Sequence, residues 1–113
     1  MDKNTVLLFT QNGIGAPPEG LQQVLVVKYL LMLRQSGQLP GAMLFYTQGV
    51  RLVCEGSLVL EHLSALEKAG VKLIVCQTCL DYFGILDQVK VGEVLGMPQI
   101  LAAMQSAANV ITL

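Results

Sequence analysis

Four short apolar runs with almost no polar interruption set the main constraint on this chain: Thr5–Phe9, Ala42–Tyr46, Val71–Val75 and Val110–Leu113. Each holds four or five residues, mostly Val, Ile, Leu or aromatic. A strand with one wet face alternates apolar and polar residues, whereas a strand covered on both faces does not. The runs therefore predict buried strands of a mainly parallel sheet. A further short strand, fourth in chain order, is expected within Val89–Val94, where "VKVGEV" alternates loosely.

The segments between the runs have the length and punctuation of helices. The first is predicted from Pro18 or Glu19 to about Gln35, closed by Gly37 and Pro40. Leu21, Val24, Leu25 and Tyr29 share one face, while Val26, Val27, Leu30, Met32 and Leu33 wrap around it. A helix so apolar all round is expected to be buried on two sides. The second is predicted to open at Ser57 as N-cap and to close at Gly70 as C′. Val59, Leu63 and Leu66 form its inner stripe. The last runs from Pro98 to about Ala108, and Asn109 ends it before the final strand. Strand–helix alternation with right-handed crossovers predicts one domain over residues 1–113, an α/β/α sandwich of about five strands.

Composition narrows the function classes. Net charge is −1 with no basic stripe, which argues against nucleic acid. No apolar run approaches the ~18–20 residues that span a bilayer, and no secretory signal is read at the start. Three cysteines, an odd number, fit a reducing, cytoplasmic setting. Charged residues make up only 13 % of the 113, half the ~25 % usual in soluble domains, and 53 % are hydrophobic. So small a chain cannot hide that much apolar surface alone. Its helices are expected to be covered by further copies of the chain or by a partner.

In open parallel sheets, ligands gather beyond the carboxyl ends of the strands. Three segments follow strand ends: "TQNGIGAPPEG", "TQGVRLVCEG" and "CQTCLDYFG". The third holds Cys76 and Cys79, three residues apart. Cys76 stands between the strand and a predicted helical turn over Thr78–Phe83, capped by Gly84. Amides at such a turn stabilise a thiolate, so Cys76 is expected to be the more reactive cysteine. The competing readings are a dithiol switch, a zinc site and plain buried small residues. Zinc has only Cys54, Cys76, Cys79 and His62 to draw on, with irregular spacing. "GIGAPPEG" does not complete a dinucleotide or phosphate-loop pattern, and one histidine gives acyl-transfer catalysis little support.

From Gly49 to Leu113 the chain resembles the DsrE/DsrF-like family, and in particular the DsrE-like domain of YedF-type, sulfurtransferase-like selenium-metabolism proteins. "GVRLVCEGS", "LSALEKAGVKLIVCQTCLDYFG", "VGEVLGMPQI" and "NVITL" carry the resemblance. It implies a parallel α/β/α domain, homo-oligomers (trimers or hexamers) and sulfur relay without metal or organic cofactor. In sulfurtransferase members the sulfur-accepting cysteine ends the third strand, with a glycine eight residues later. Cys76 and Gly84 match that spacing, and Cys79 matches the second cysteine of the YedF-type pattern. The resemblance thus implies that Cys76 carries sulfur as a persulfide, which Cys79 can resolve by forming a disulfide. YedF-type proteins also carry a TusA-like domain, absent here, so a separate TusA-like protein is the expected donor or acceptor. A non-catalytic oligomeric scaffold of the same fold is the alternative.

Overall fold

The computed structural model describes all 113 residues. Five parallel strands form one sheet: β1 (Thr5–Phe9), β2 (Ala42–Phe45), β3 (Lys72–Cys76), β4 (Glu93–Leu95) and β5 (Asn109–Thr112). Their order is β4-β3-β2-β1-β5. Four helices connect them: α1 (Glu19–Ser36), α2 (Leu60–Lys68), α3 (Gln77–Phe83) and α4 (Met97–Ser106). A 3-10 segment, Thr47–Val53, leads from β2 towards α2.

The strand order dictates the layers. From β1 to β4 each strand is laid on the same side of its predecessor, so right-handed crossovers put α1 and α2 on one face. The last connection runs back across the sheet, which sends α4 to the other face. Register then sorts the side chains. Phe9 lies opposite Phe45, and their rings stack 5.1 Å apart beneath α1 and α2. Val6, Ala42 and Ile74 point the other way and line a cleft with Gln99, Ala103 and Ser106 of α4.

The three interior strands are apolar because both faces are covered; β5, at an edge, is exposed along its whole length. β4 falls at Glu93–Leu95, at the far end of the stretch expected to hold it. Gly92 adopts φ +87° just before it, with Val75 and Leu73 packed close, so pairing begins only beyond this turn. α4 follows a Gly96 cap, where the Gln99 side chain accepts the Gly96 N–H at 3.1 Å, and ends two residues before Ala108.

Two expectations are corrected. Ser57 is not the cap of α2: its hydroxyl accepts the Val59 N–H at 3.2 Å in a turn, and the helix begins at Leu60. The close is as expected, with Gly70 left-handed at φ +105°. The buried side of α1 is Gln22, Val26, Leu30 and Leu33, so within one chain the helix is not covered on the two sides expected. Leu21 and Met32 are 51 % and 55 % exposed, and Val24, Leu25 and Leu31 are exposed with them. A single chain covers α1 on one side only. The hydrophobic pattern was too uniform to reveal which side.

No helix is long and apolar enough to cross a membrane.

Candidate functional site

The three loops that follow β1, β2 and β3 meet at Thr47. Its hydroxyl donates to the Thr10 carbonyl at 2.8 Å, tying the second loop to the first. Its backbone N–H donates to Cys79 Sγ at 3.1 Å, tying it to the third. To do both, Thr47 sits at φ +47°, although its side chain is β-branched. Such a conformation costs about 1–2 kcal/mol and persists only where the surroundings enforce it. Here the Tyr46 N–H is fixed to the Phe9 carbonyl at 3.1 Å, and Gly49 packs its bare Cα against the end of β1.

Cys76 is the last residue of β3 and caps α3 with an extended backbone. By the pleat it follows Ile74 onto the face beneath α4, and it is 0 % exposed. Cys79 lies in the first turn of α3 and is half-buried. α3 ends as expected at Gly84 in the left-handed conformation (φ +68°), where the Ile85 N–H reaches the Leu80 carbonyl at 3.0 Å.

The structure brings Cys76 and Cys79 together as neighbouring thiols. It does not deliver the amide help where the sequence argument expected it. No side-chain cap forms at Cys76; the amide that meets a sulfur is Thr47's, on Cys79. Burial pushes the Cys79 thiol above the ordinary cysteine value, the Thr47 N–H pulls it back, and the Cys76 thiol raises it again.

Cys54 stands apart from this pair. Its buried thiol donates to the Val50 carbonyl at 3.3 Å. Burial raises its pKa, partly offset by the Arg51 charge. His62 projects from α2 towards α1, where its Nδ1 meets Arg34 Nη1 at 2.9 Å. No three His, Cys, Asp or Glu side chains assemble a metal-binding group.

Thr47 and Arg51 are the residues that sequence reasoning passed over. Arg51 Nε donates to Gln48 Oε1 at 2.7 Å, and its guanidinium stacks over the Phe83 ring at 4.5 Å. A signal for this region existed in the repeated Thr-Gln pair that follows both β1 and β2, Thr10-Gln11 and Thr47-Gln48.

Comparisons with known proteins agree with this architecture. A search of curated proteins found none that matches the chain. Among solved structures, the YchN protein of E. coli superposes with a TM-score of 0.68 at 21 % identity, each chain covered in full. A protein of unknown function from Methanobacterium thermoautotrophicum gives 0.68 at 17 % identity, covering 96 % of this chain and 97 % of its own. A conserved protein of unknown function from Bacteroides thetaiotaomicron gives 0.65 at 13 % identity, covering 97 % and 95 %. At these identities the likeness is one of fold. The sequence profile of the DsrE/DsrF-like family matches residues 40–113, the stretch that includes β2, Thr47, the cysteine pair and Gly84. That match is to the family at large and not to its YedF-type branch, and it covers well over half the molecule: the chain belongs to the DsrE/DsrF-like family.

Proposed function

We propose that the protein relays sulfur through the Cys76–Cys79 pair, taking sulfane sulfur from a donor persulfide and yielding it to an acceptor thiol. The observation that carries this reading is the pairing of a sealed thiol with an accessible one at the strand ends. The Thr47 amide is aimed at the accessible sulfur. Family membership supports the same chemistry.

Accessibility sets the order of events. Cys79 meets the donor first: its thiolate attacks the outer sulfur of R–S–SH, forming Cys79–S–SH and releasing RS⁻. The Thr47 N–H stabilises the thiolate at the moment of attack. The Cys76 sulfur then attacks the outer sulfur of that persulfide. Cys76 gives its own proton to the departing Cys79 sulfur, leaving Cys76–S–SH and Cys79–SH. Neither step is a net oxidation or reduction, and neither draws on a metal or organic cofactor. The buried Cys76 persulfide is shielded from adventitious thiols, and the same steps in reverse deliver it. This changes the role expected of Cys79 from resolving thiol to receiving thiol and keeps Cys76 as the carrier.

One observation favours the scaffold reading, the exposed apolar side of α1. It is equally what a homo-oligomeric relay protein would bury against its copies, and together with the family resemblance it leads us to infer a trimer or hexamer.

Intact-mass analysis after incubation with a persulfide donor tests the relay. Wild type and Cys54→Ser should gain one sulfur at equal rates. Cys79→Ser should load far more slowly. Cys76→Ser should load at Cys79 and lose the sulfur quickly to added free thiol. Equal loading by all three variants, or none by wild type, would refute the reading.

A further inference from the structure

A polar cleft lies beside the loop that carries Thr47. Beyond the ends of β1 and β2 lies a cleft of about 510 Å³ lined by Gln11, Asn12, Glu19, Gln22, Gln48 and Arg51, with no hydrophobic residue among them. Small-molecule pockets are mostly apolar, so an all-polar lining points to a strongly polar ligand.

The two ends of the cleft carry opposite charge. Arg51 is fixed by its Nε bond to Gln48 and by the Phe83 ring beneath it. That single side-chain hydrogen bond leaves the Nη donors of the guanidinium fork free, the geometry that holds a carboxylate in two parallel bonds. Glu19 is the other charge; one of its oxygens takes only a long contact from Asn12 Nδ2, at 3.5 Å. Beside it, Gln22 is 5 % exposed. Its Nε2 donates to the Gly15 carbonyl at 2.7 Å, so its Oε1 is the amide atom left without a protein partner. That oxygen reaches solvent, so a ligand in the cleft can meet it. Glu19 and Gln22 together suit an ammonium group, and Arg51 suits a carboxylate.

The cleft is connected to the thiols through two elements. Gln48 is the chain neighbour of Thr47, whose N–H holds the Cys79 sulfur. Phe83, which supports Arg51, follows Cys79 by four residues on α3 and so shares its face, about 5–6 Å away between Cβ atoms. Arg51 and Cys79 are therefore linked through one face of α3.

We propose that this cleft binds the zwitterionic amino-acid end of a low-molecular-weight thiol or persulfide, free cysteine or a γ-glutamyl peptide thiol, and presents its sulfur to Cys79. Binding of the zwitterion stands on the cleft alone; what the ligand delivers rests on the sulfur-relay reading above.

The test separates the two. The full chain is titrated by amide NMR with S-methylcysteine and S-methylglutathione, which cannot transfer sulfur, and with S-methylcysteine methyl ester, which lacks the carboxylate. Saturable shifts are expected at Gln11, Asn12 and Gln48. The ester should bind wild type about tenfold more weakly than the acid, as should the acid to Arg51→Gln, the loss expected for charge-assisted hydrogen bonds. The ester arm uses wild type and does not depend on a variant folding. Whichever thioether binds tighter identifies the source of the thiol. No saturable shift up to about 10 mM, or equal binding of acid and ester, overturns the proposal. Sulfur loading is then measured with cysteine persulfide on wild type and Arg51→Gln. Probe binding without loading leaves the cleft standing and removes the relay. Loading at equal rates on both proteins without probe binding does the reverse.

Discussion

Replacing Gly49 with alanine should be among the most damaging single changes in the molecule, although it adds one methyl group. Gly49 lies buried in the 3-10 segment after β2, and its N–H donates to the Tyr46 carbonyl at 3.0 Å. A Cβ built there overlaps the Phe9 carbonyl oxygen outright, comes to 2.6 Å from the Phe9 carbonyl carbon and to 3.3 Å from the Thr10 nitrogen. These are backbone atoms at the end of the interior strand β1, held by pairing on both sides to β2 and β5. No side chain can rotate away, so relief requires parting the segment from β1. That motion would break the Tyr46–Phe9 and Thr47–Thr10 bonds, each worth about 1 kcal/mol net, on top of an overpacking cost of about 1–3 kcal/mol. The sum is about 4 kcal/mol, a large share of the ~5–15 kcal/mol that holds a domain folded. With an m-value of about 2 kcal/mol/M, the urea midpoint should fall by about 2 M. Gly20→Ala is the control. Gly20 lies in the first turn of α1 with nothing within 4 Å of the added Cβ. There the same substitution should stabilise by up to about 1 kcal/mol. A Gly49→Ala midpoint within about 0.5 M of wild type would show that the 3-10 segment is not wedged against β1 as argued.

Four further outcomes are expected. Alkylation of Cys79, followed in Cys54→Ser by intact mass, should keep rising with pH beyond the ordinary thiol midpoint of about 8.5, because burial raises its pKa; a plateau below that midpoint would contradict it. The same shift makes stability fall as pH rises above that value. The unfolded thiol has then lost a proton that the folded one keeps, so denaturation midpoints should decline at alkaline pH and less so in Cys79→Ala. Gly70→Ala should cost about 1–2 kcal/mol, since φ +105° after α2 disfavours any side chain, and an unchanged melting curve would mean the turn relaxes freely. Light scattering should find a homo-oligomer that Leu25→Glu with Met32→Glu splits into monomers, because both side chains lie on the exposed apolar side of α1; a wild-type monomer at micromolar concentration refutes this.

Secondary structure was legible in the sequence wherever a residue's neighbours along the chain decide its conformation. The uninterrupted runs at Thr5–Phe9 and Ala42–Tyr46 read as strands wet on neither face, the second ending one residue early at Phe45, and Gly37, Gly70 and Gly84 end helices because each supplies a left-handed φ that other residues resist. Alternation of strands and helices then implied a parallel sheet, and a parallel sheet placed the loops with Cys76 and Cys79 along one edge. What lay beyond local reach was every property set by residues far apart in the chain. Which thiol faces solvent depends on α4 returning across the sheet over β3, a consequence of strand order. The left-handed Thr47 is held by contacts with Thr10 and Cys79, more than thirty positions away on either side, and no propensity of threonine announces it. Arg51 acquires its place only when α3 sets Phe83 beneath it. The side of α1 that meets the core was likewise undetermined, because its apolar residues circle the helix and only the packed sheet selects Gln22, Val26, Leu30 and Leu33.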